Sequence, residues 1–131
     1  MSQKEVEVIL TRQLASYLAT PIFIVDPQGN LVFYNEPAER ILGYRFDETG
    51  EMPLTEWATL FHPCDGAGNR LPPEKLPLVI ALRERCPSHS QFWISGLDGT
   101  VHNIQVTAFP LICQSERFLG AVAMFWESRT P

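Results

Sequence analysis

The chain has 131 residues, a formal net charge of −5 and 45% hydrophobic residues, which fits one domain with a core of its own. Its acidic and basic residues are interspersed without a run of lysine or arginine, so the composition argues against nucleic acid and against an anionic membrane as partners. No apolar run reaches the roughly 20 residues that cross a bilayer, and the first residues lack the apolar core of a signal peptide, so we expect a cytoplasmic location.

The first predicted element is an amphipathic helix over residues 5–18. Its apolar residues recur at helical spacing and form one face. These residues are Val6, Ile9, Leu10, Leu14, Tyr17 and Leu18. Thr20 and Pro21 end the helix, because the residue before a proline is pushed out of the helical region.

A tight β-hairpin is predicted next. Residues 22–25 and 31–34 are short runs of β-branched, aliphatic and aromatic residues, which favour strands. Between them, Asp26 can accept backbone N–H bonds, Pro27 fixes φ at the second turn position, and Gly29 can adopt the left-handed conformation.

A short capped helix follows the hairpin directly. Asn35 stands at the N-cap position, Pro37 is tolerated in the first turn, and Gly43 is suited to the end. The residues between them give the helix one apolar stripe, formed by Ala38, Ile41 and Leu42.

Residues 45–85 predict further helical segments. Residues 45–72 are rich in turn formers, but they contain apolar residues that predict a helical turn or two, namely Leu54, Trp57, Leu60 and Phe61. A further helix is predicted from Leu71 to Arg85, with Leu76, Val79, Ile80 and Leu82 facing inward.

The order and spacing of these pieces resemble a PAS domain, the sensor module of many signalling proteins. Residues 92–112, with Asp98-Gly99 at the turn, resemble the central hairpin of that family, and residues 117–127 resemble its last strand. The resemblance implies an α+β fold with a five-stranded antiparallel sheet, short helices and one longer helix on the inner face of the sheet, and the amphipathic N-terminal helix in addition. It divides the chain into an N-terminal helix over residues 1–19, a PAS domain over residues 20–127 and a C-terminal tail over residues 128–131.

Alternation along the strands predicts which side chains line the interior, because alternate residues face opposite sides of a sheet. In residues 102–108 the pattern is clean, with Ile104, Val106 and Ala108 on the apolar face. The other strands are apolar on both faces, and the resemblance is what orients Val32 with Tyr34, and Val122 with Met124, inward.

We expect the ligand-binding residues on this inner face and on the helices opposite it. They are Phe23, Val25, Tyr34, Leu42, Val79, Leu82, Ile94, Ile104, Val106, Val122 and Met124. Such a lining suits a small apolar ligand, with Tyr34 as the clearest polar anchor and His102 at the rim. The alternative is a hydrophobic core that is simply packed, without a ligand.

Flavin and haem, two cofactors of PAS domains, each require particular residues in the protein. The flavin-binding branch carries an Asn-Cys-Arg-Phe-Leu-Gln motif, and nothing similar occurs in residues 45–75. Haem-binding members usually present an axial histidine from the longer helix, whereas residues 73–85 contain none. The residues therefore disfavour both haem and flavin.

Two histidine–cysteine pairs are candidates for a zinc site. His62 with Cys64, and Cys86 with His89, could together supply four tetrahedral ligands. Against this, each pair has a proline inside it and the first pair is tightly spaced, so we expect no metal. Spacing alone leaves open whether the four residues converge.

Both faces of the last strand are apolar and must be covered. We expect the N-terminal helix to cover the outer face, within its own chain or across a homodimer. The predicted dimer interface consists of Val6, Ile9, Leu10, Leu14, Ala121, Ala123 and Phe125. The resemblance further implies an effector domain or a signalling partner protein, as in a receptor kinase or a transcriptional regulator.

Familiar catalytic motifs do not occur in the sequence, neither a nucleophile elbow nor a Walker loop, a zincin helix or a dinucleotide fingerprint. We therefore expect a non-catalytic sensor and dimerisation module. One alternative is a small ligand-binding α+β enzyme, in which Tyr34, His102 and Asp26 would converge on one cavity. The other is a PAS fold without ligand that serves only protein–protein interaction.

Overall fold

The computed structural model describes residue 13, residues 18–112, residue 115 and residues 117–128. Most of the predicted N-terminal helix lies outside the described residues, including Val6, Ile9, Leu10 and Leu14 of the predicted dimer interface. Cys113 and residues 129–131 lie outside them as well. Within the described part of the chain, no helix combines the length and the apolar character that a membrane span requires.

Strands, short helices and strands again follow one another along the chain. The elements are β1 (Ile22–Val25), β2 (Leu31–Tyr34), α1 (Glu36–Leu42), α2 (Phe46–Thr49), α3 (Leu54–Leu60), a 3₁₀ turn (Pro73–Lys75), α4 (Pro77–Glu84), β3 (Ser88–Ser95), β4 (Val101–Ile112) and β5 (Phe118–Glu127). The predicted hairpin and capped helix are confirmed, whereas β3 begins at Ser88 and not at Phe92.

The five strands form one antiparallel sheet in the order β2-β1-β5-β4-β3. The buried residues of α1, α3 and α4 belong to one cluster with side chains from one face of the sheet, which places the main core between that face and the helices. The predicted α+β fold with a five-stranded antiparallel sheet is therefore confirmed. We call the helix-covered side the inner face and the opposite side the outer face.

The turn between β1 and β2 is built around the carboxylate of Asp26. Its Oδ1 accepts the backbone N–H groups of Gln28 and Asn30, at 3.0 and 2.9 Å. Gly29 takes φ = +90°, and its carbonyl accepts the indole N–H of Trp57 at 2.8 Å. The hairpin is thus fastened to α3, and this contact positions α3 over the inner face.

Asn35 joins three segments of the chain. As predicted, it caps α1, with its Oδ1 accepting the N–H of Ala38 at 3.3 Å. The same oxygen accepts the N–H of Ile22 at 2.9 Å, and Nδ2 donates to the carbonyl of Thr20 at 2.9 Å. Only 1% of Asn35 is exposed. The buried side-chain amide of Asn35 therefore holds the start of β1 next to the start of α1.

The two faces of the sheet carry separate apolar clusters, and they correct the predicted orientation of β5. Ala121, Ala123 and Phe125 belong to the inner cluster, while Val122 and Met124 belong to the outer one. The reason is register: Ala123 is paired with Ala108, an inward residue of β4, and paired residues share a face. The prediction had these two sets reversed, because a strand that is apolar on both sides gives no sign of its orientation.

A register shift in β2 changes a second predicted orientation. Tyr34 pairs with Phe23 but Leu31 pairs with Val25, so both Tyr34 and Leu31 reach the inner cluster. Val32, predicted inward, packs in the outer cluster. An irregularity of this kind breaks the simple alternation of faces.

Gly120 allows β5 to approach the end of β1. Its φ is +124°, and a Cβ atom there would collide with the carbonyl oxygen of Val25 and lie 3.1 Å from the backbone of Asp26. Only glycine fits this close approach between two backbones.

Both edge strands of the sheet are partly covered by loops. On one edge, Met52 forms a β-bridge with Leu31 of β2. On the other, Cys64 forms a β-bridge with Trp93 of β3, and the carbonyl of Phe61 accepts the N–H of Ser95 at 2.7 Å. Segments on either side of α3 therefore pair with the two opposite margins of the sheet.

Candidate functional site

A cavity of about 90 Å³ lies between the inner face of the sheet and the helices. It is lined only by apolar side chains, contributed by α1, α3, α4, the segments beside these helices, and four strands. The lining residues are Phe23, Leu42, Trp57, Ala58, Phe61, Pro63, Leu76, Pro77, Leu78, Phe92, Ile94, Ile104, Val106, Ala123 and Phe125. A cavity of this kind can bind through apolar contact and shape and offers no charge to a ligand.

Aromatic rings form one wall of this cavity. The rings of Phe23 and Trp57 meet edge to face, with centroids 5.4 Å apart and an interplanar angle of 67°. Phe23 also stacks on Tyr34, with centroids 6.0 Å apart. The Trp57 N–H is already bound to the carbonyl of Gly29, so the aromatic wall presents carbon surface to the interior.

The predicted ligand-binding residues fall into three groups. Five line the cavity: Phe23, Leu42, Ile94, Ile104 and Val106. Four pack in or against the same core without lining it: Val25, Tyr34, Val79 and Leu82. The remaining two, Val122 and Met124, lie on the outer face.

Several lining residues were missed as site residues or assigned elsewhere. Ala123 and Phe125 line the cavity, although they were predicted at the dimer interface. Trp57 and Phe61 had a detectable signal, since they are four residues apart on the apolar side of a predicted helical turn. Leu78 and Pro63 carried no such signal, because their position depends on how the loops fold over the sheet.

The predicted polar anchor, Tyr34, is buried and already bonded elsewhere. Its hydroxyl donates to the carbonyl of Tyr44 at 2.9 Å and lies 3.0 Å from the hydroxyl of Thr49. Burial, the largest effect, raises the pKa of this phenol above its ordinary value of 10.0, although the Thr49 hydrogen bond acts in the opposite direction. Tyr34 therefore fixes the α1–α2 connection and does not point into the cavity.

Tyr34→Phe is expected to lower the free energy of unfolding by about 1–2 kcal/mol at pH 7, because two hydrogen bonds are lost in a buried setting. The pKa of Tyr34 is raised by folding, so the phenol stabilises the folded state below the unfolded pKa near 10, and this contribution disappears at higher pH. Denaturant unfolding at pH 7 and above pH 10 should show the difference between wild type and variant shrinking. Tyr44→Phe, at an exposed ring, is the control and should change little; an equal loss in both variants would contradict the assignment.

The two histidine–cysteine pairs lie at different places. Cys64 bridges to Trp93 of β3, whereas His89 is four residues earlier on that strand, a distance of about 13 Å at strand spacing. The ring of His89 lies 2.7 Å from the hydroxyl of Thr107, and Cys64 Sγ donates to the carbonyl of His62 at 3.3 Å. Among the described residues, no group of three or more His, Cys, Asp or Glu side chains is arranged to hold a metal ion.

The residues of the enzyme alternative do not meet in one cavity. Asp26 serves the β1–β2 turn, the Tyr34 hydroxyl is bound to Tyr44 and Thr49, and His102 lies 2.7 Å from the carboxylate of Glu127. None of the three proposed catalytic side chains lines the apolar cavity.

Comparison with protein families identifies the family to which this fold belongs. The profile of the PAS fold family matches residues 9–126. The chain belongs to the PAS family. PAS domains are typical of sensor and signalling proteins, generally as non-catalytic modules, and they often accompany effector domains.

Solved structures show the same PAS fold. The chain is similar to a LOV protein of Rhodobacter sphaeroides, with a TM-score of 0.69 and 15% identity over 98% of this chain and 70% of that one. It is similar to a PAS domain from Colwellia psychrerythraea, with a TM-score of 0.66 and 15% identity over 95% and 99%. It is also similar to the PAS domain of nitrogen regulation protein NR(II) from Vibrio parahaemolyticus, with a TM-score of 0.62 and 17% identity over 91% and 98%. A comparison with curated protein sequences gives no significant match.

Proposed function

We propose that this PAS domain is a non-catalytic sensor that binds a small, neutral, apolar molecule in the cavity between its sheet and its helices. The observation that carries the proposal is the cavity lining, in which fifteen side chains from both layers are all apolar. A ligand in the cavity would contact β5 through Ala123 and Phe125, and the helices through Trp57 and Leu78. Its binding can therefore shift how the sheet and the helices pack against each other.

The size of the cavity restricts the ligand. About 90 Å³ is well below the roughly 300–1,000 Å³ of pockets for drug-sized ligands, whereas an apolar protein cavity of about 150 Å³ binds benzene or xenon. The lining also provides no charged side chain for a propionate or phosphate group. We therefore assign the site to molecules of one small ring or a short alkyl chain, in preference to haem or flavin.

Benzene and xenon are the probes that test this assignment. We expect saturable stabilisation of the wild-type domain by benzene, reaching about 2.7 kcal/mol at one hundred times the dissociation constant. Ala123→Leu should remove this response, because the larger side chain enters the cavity. Thermal unfolding at increasing benzene concentration and xenon NMR measure the two effects.

Met124→Leu is the matched control, since it changes the next residue of β5 on the outer face and nearly conserves side-chain volume. It should keep the benzene response. A wild-type domain that benzene does not stabilise would refute the apolar sensor and favour a module that serves only protein–protein interaction. A response that survives in Ala123→Leu would place binding elsewhere.

We also propose that the domain forms a homodimer through the N-terminal helix and the outer sheet face. In this assignment residues 20–127 are the sensory unit and residues 1–19 the dimerisation helix. On the outer face of β5, Val122 is buried and Met124 is partly buried, with Phe33 and Phe109 in the same apolar cluster. These residues replace Ala121, Ala123 and Phe125 of the predicted interface.

Met124→Lys is expected to convert the dimer to a monomer, because a lysine there would place a charge within the apolar contact. Light scattering coupled to size exclusion should give twice the monomer mass for the wild type and the monomer mass for the variant. Gln105→Lys, on the polar part of the outer face beside Trp126, should remain dimeric. A wild-type monomer would refute the dimer and indicate cover by the chain's own helix.

The partners in this proposal are an effector domain or a separate signalling protein in the cytoplasm. Support comes from the class of protein in which related folds occur, since one similar structure is a PAS domain from a two-component sensor histidine kinase. Nucleic acid and membrane are not proposed as partners, in keeping with the net charge of −5.

A further inference from the structure

The last paired residue of β5 is held by a histidine. His102 of β4 places its Nδ1 atom 2.7 Å from Oε1 of Glu127, where β5 ends. The neighbouring residue Asn103 accepts the backbone N–H of Ser128 at 2.7 Å, and Gln91 of β3 donates to the Ser128 hydroxyl at 3.2 Å. The end of β5 is therefore fastened to β4 and β3 at two successive positions.

The hydrogen bond to Glu127 determines which nitrogen of the His102 ring carries the proton. An ionised carboxylate only accepts hydrogen bonds, so Nδ1 of His102 must be the donor to Glu127. The other ring nitrogen, Nε2, is buried and has no hydrogen-bond partner among the described residues. In the neutral ring Nε2 is a bare acceptor, and a proton added there would create a charged N–H group with nothing to receive it.

Two opposing effects determine whether a protonated His102 ring stays in its buried position. The side chain of Glu127 is 56% exposed, so water screens its attraction for an imidazolium, and such partly exposed pairs contribute little. A buried, charged N–H without an acceptor is a larger penalty. Since only 11% of the His102 side chain is exposed, the ring must move outward before Nε2–H can reach water.

The charged groups that the structure brings to this ring are Glu127 on β5 and Asp98 in the turn between β3 and β4. Asp98 remains a carboxylate near neutral pH, because the N–H of Thr100 holds its pKa below the ordinary range. On β3, the residue paired with His102 is the apolar Ile94. Asp98 is exposed and interacts electrostatically with His102, so both carboxylates near this ring are negative.

We propose that His102 and Glu127 form a pH-sensitive latch on the end of β5, closed when the imidazole is neutral and opened when Nε2 takes a proton from water. Opening releases Glu127 and weakens the backbone bond between Ser128 and Asn103. The latch does not depend on the apolar cavity, whose lining includes neither residue. Protonation thus provides an input to the end of β5 that is separate from ligand binding.

Amide hydrogen exchange and imidazole ¹⁵N NMR test the latch. At pH 7.5 we expect the Nδ1–H tautomer of His102. Between pH 7.5 and 5.5 the protection of the Ser128 amide, corrected for the intrinsic pH dependence of exchange, should fall about tenfold. In H102Q this fall should disappear, whereas H89Q, at the exposed histidine of the same hairpin, should retain it.

Glu127→Ala supplies a second variant at a partly exposed position, where folding is not at risk. Its Ser128 amide should be poorly protected at both pH values, without the change seen in the wild type. An Nε2–H tautomer in the wild type, equal Ser128 protection at the two pH values, or a wild-type pH response in H102Q or E127A would each overturn the proposal.

Discussion

Gly120→Ala is expected to cost more than about 4 kcal/mol of unfolding free energy and to leave most of the chain unfolded. An added Cβ would collide with the carbonyl oxygen of Val25, and neither backbone can move away without breaking the pairing of β1 with β5. The positive φ of +124° adds strain for any L side chain. Far-UV circular dichroism and urea unfolding measure the loss.

Gly99→Ala is the matched control for this prediction. Gly99 also has a positive φ, of +86°, but no atom lies within 4 Å of the position that its Cβ would take. It should therefore cost only the backbone strain, about 1–2 kcal/mol. Similar losses in the two variants would show that backbone strain and not the contact with β1 accounts for the glycine at position 120.

Asn35→Ala is expected to destabilise the domain by about 3 kcal/mol, since it removes a helix cap and leaves buried backbone groups unpaired. The amide of Asn35 bonds to Thr20, Ile22 and Ala38, so the loss should be felt at β1 and at α1 together. Urea unfolding gives the energy, and amide exchange of Ile22 and Ala38 shows where protection falls.

The comparison for this variant is Asn69→Ala. Asn69 is exposed, and its side chain makes a 3.3 Å bond with Asp65 in a turn whose hydrogen bonds match those of the Asp26 turn. We expect a loss below about 1 kcal/mol there. Were Asn35→Ala to cost no more than Asn69→Ala, the connecting role of Asn35 would be refuted.

Local chemistry made the first half of the fold predictable. The Asp26 hydrogen bonds, the positive φ of Gly29 and the Asn35 cap on α1 each lie within one short segment, so the sequence around them is sufficient to place a hairpin and a capped helix. The bonds from Asn35 to Thr20 and Ile22 reach across the chain and were not predicted. The alternation of Ile104 and Val106 likewise predicted the inner face of β4 correctly.

The features that were not predicted, the orientation of β5 and part of the cavity lining, depend on contacts between distant segments of the chain. β5 is apolar on both sides, and its orientation follows from the register of Ala123 against Ala108, which no local pattern encodes. The same holds for the site: Ile104 was identified from the strand pattern and Phe23 with the help of the family resemblance, whereas Leu78 and Pro63 reach the cavity only through the path of the loops.

The loops that pair with the sheet margins at Leu31 and Trp93 have a consequence for assembly. Unpaired strands at the borders of a sheet are where copies of a protein add to one another and grow into fibres. Here the backbone groups at those positions are already bonded within the chain. At these positions a second copy could extend the sheet only by displacing the chain's own loops, so the fold itself opposes growth from its borders.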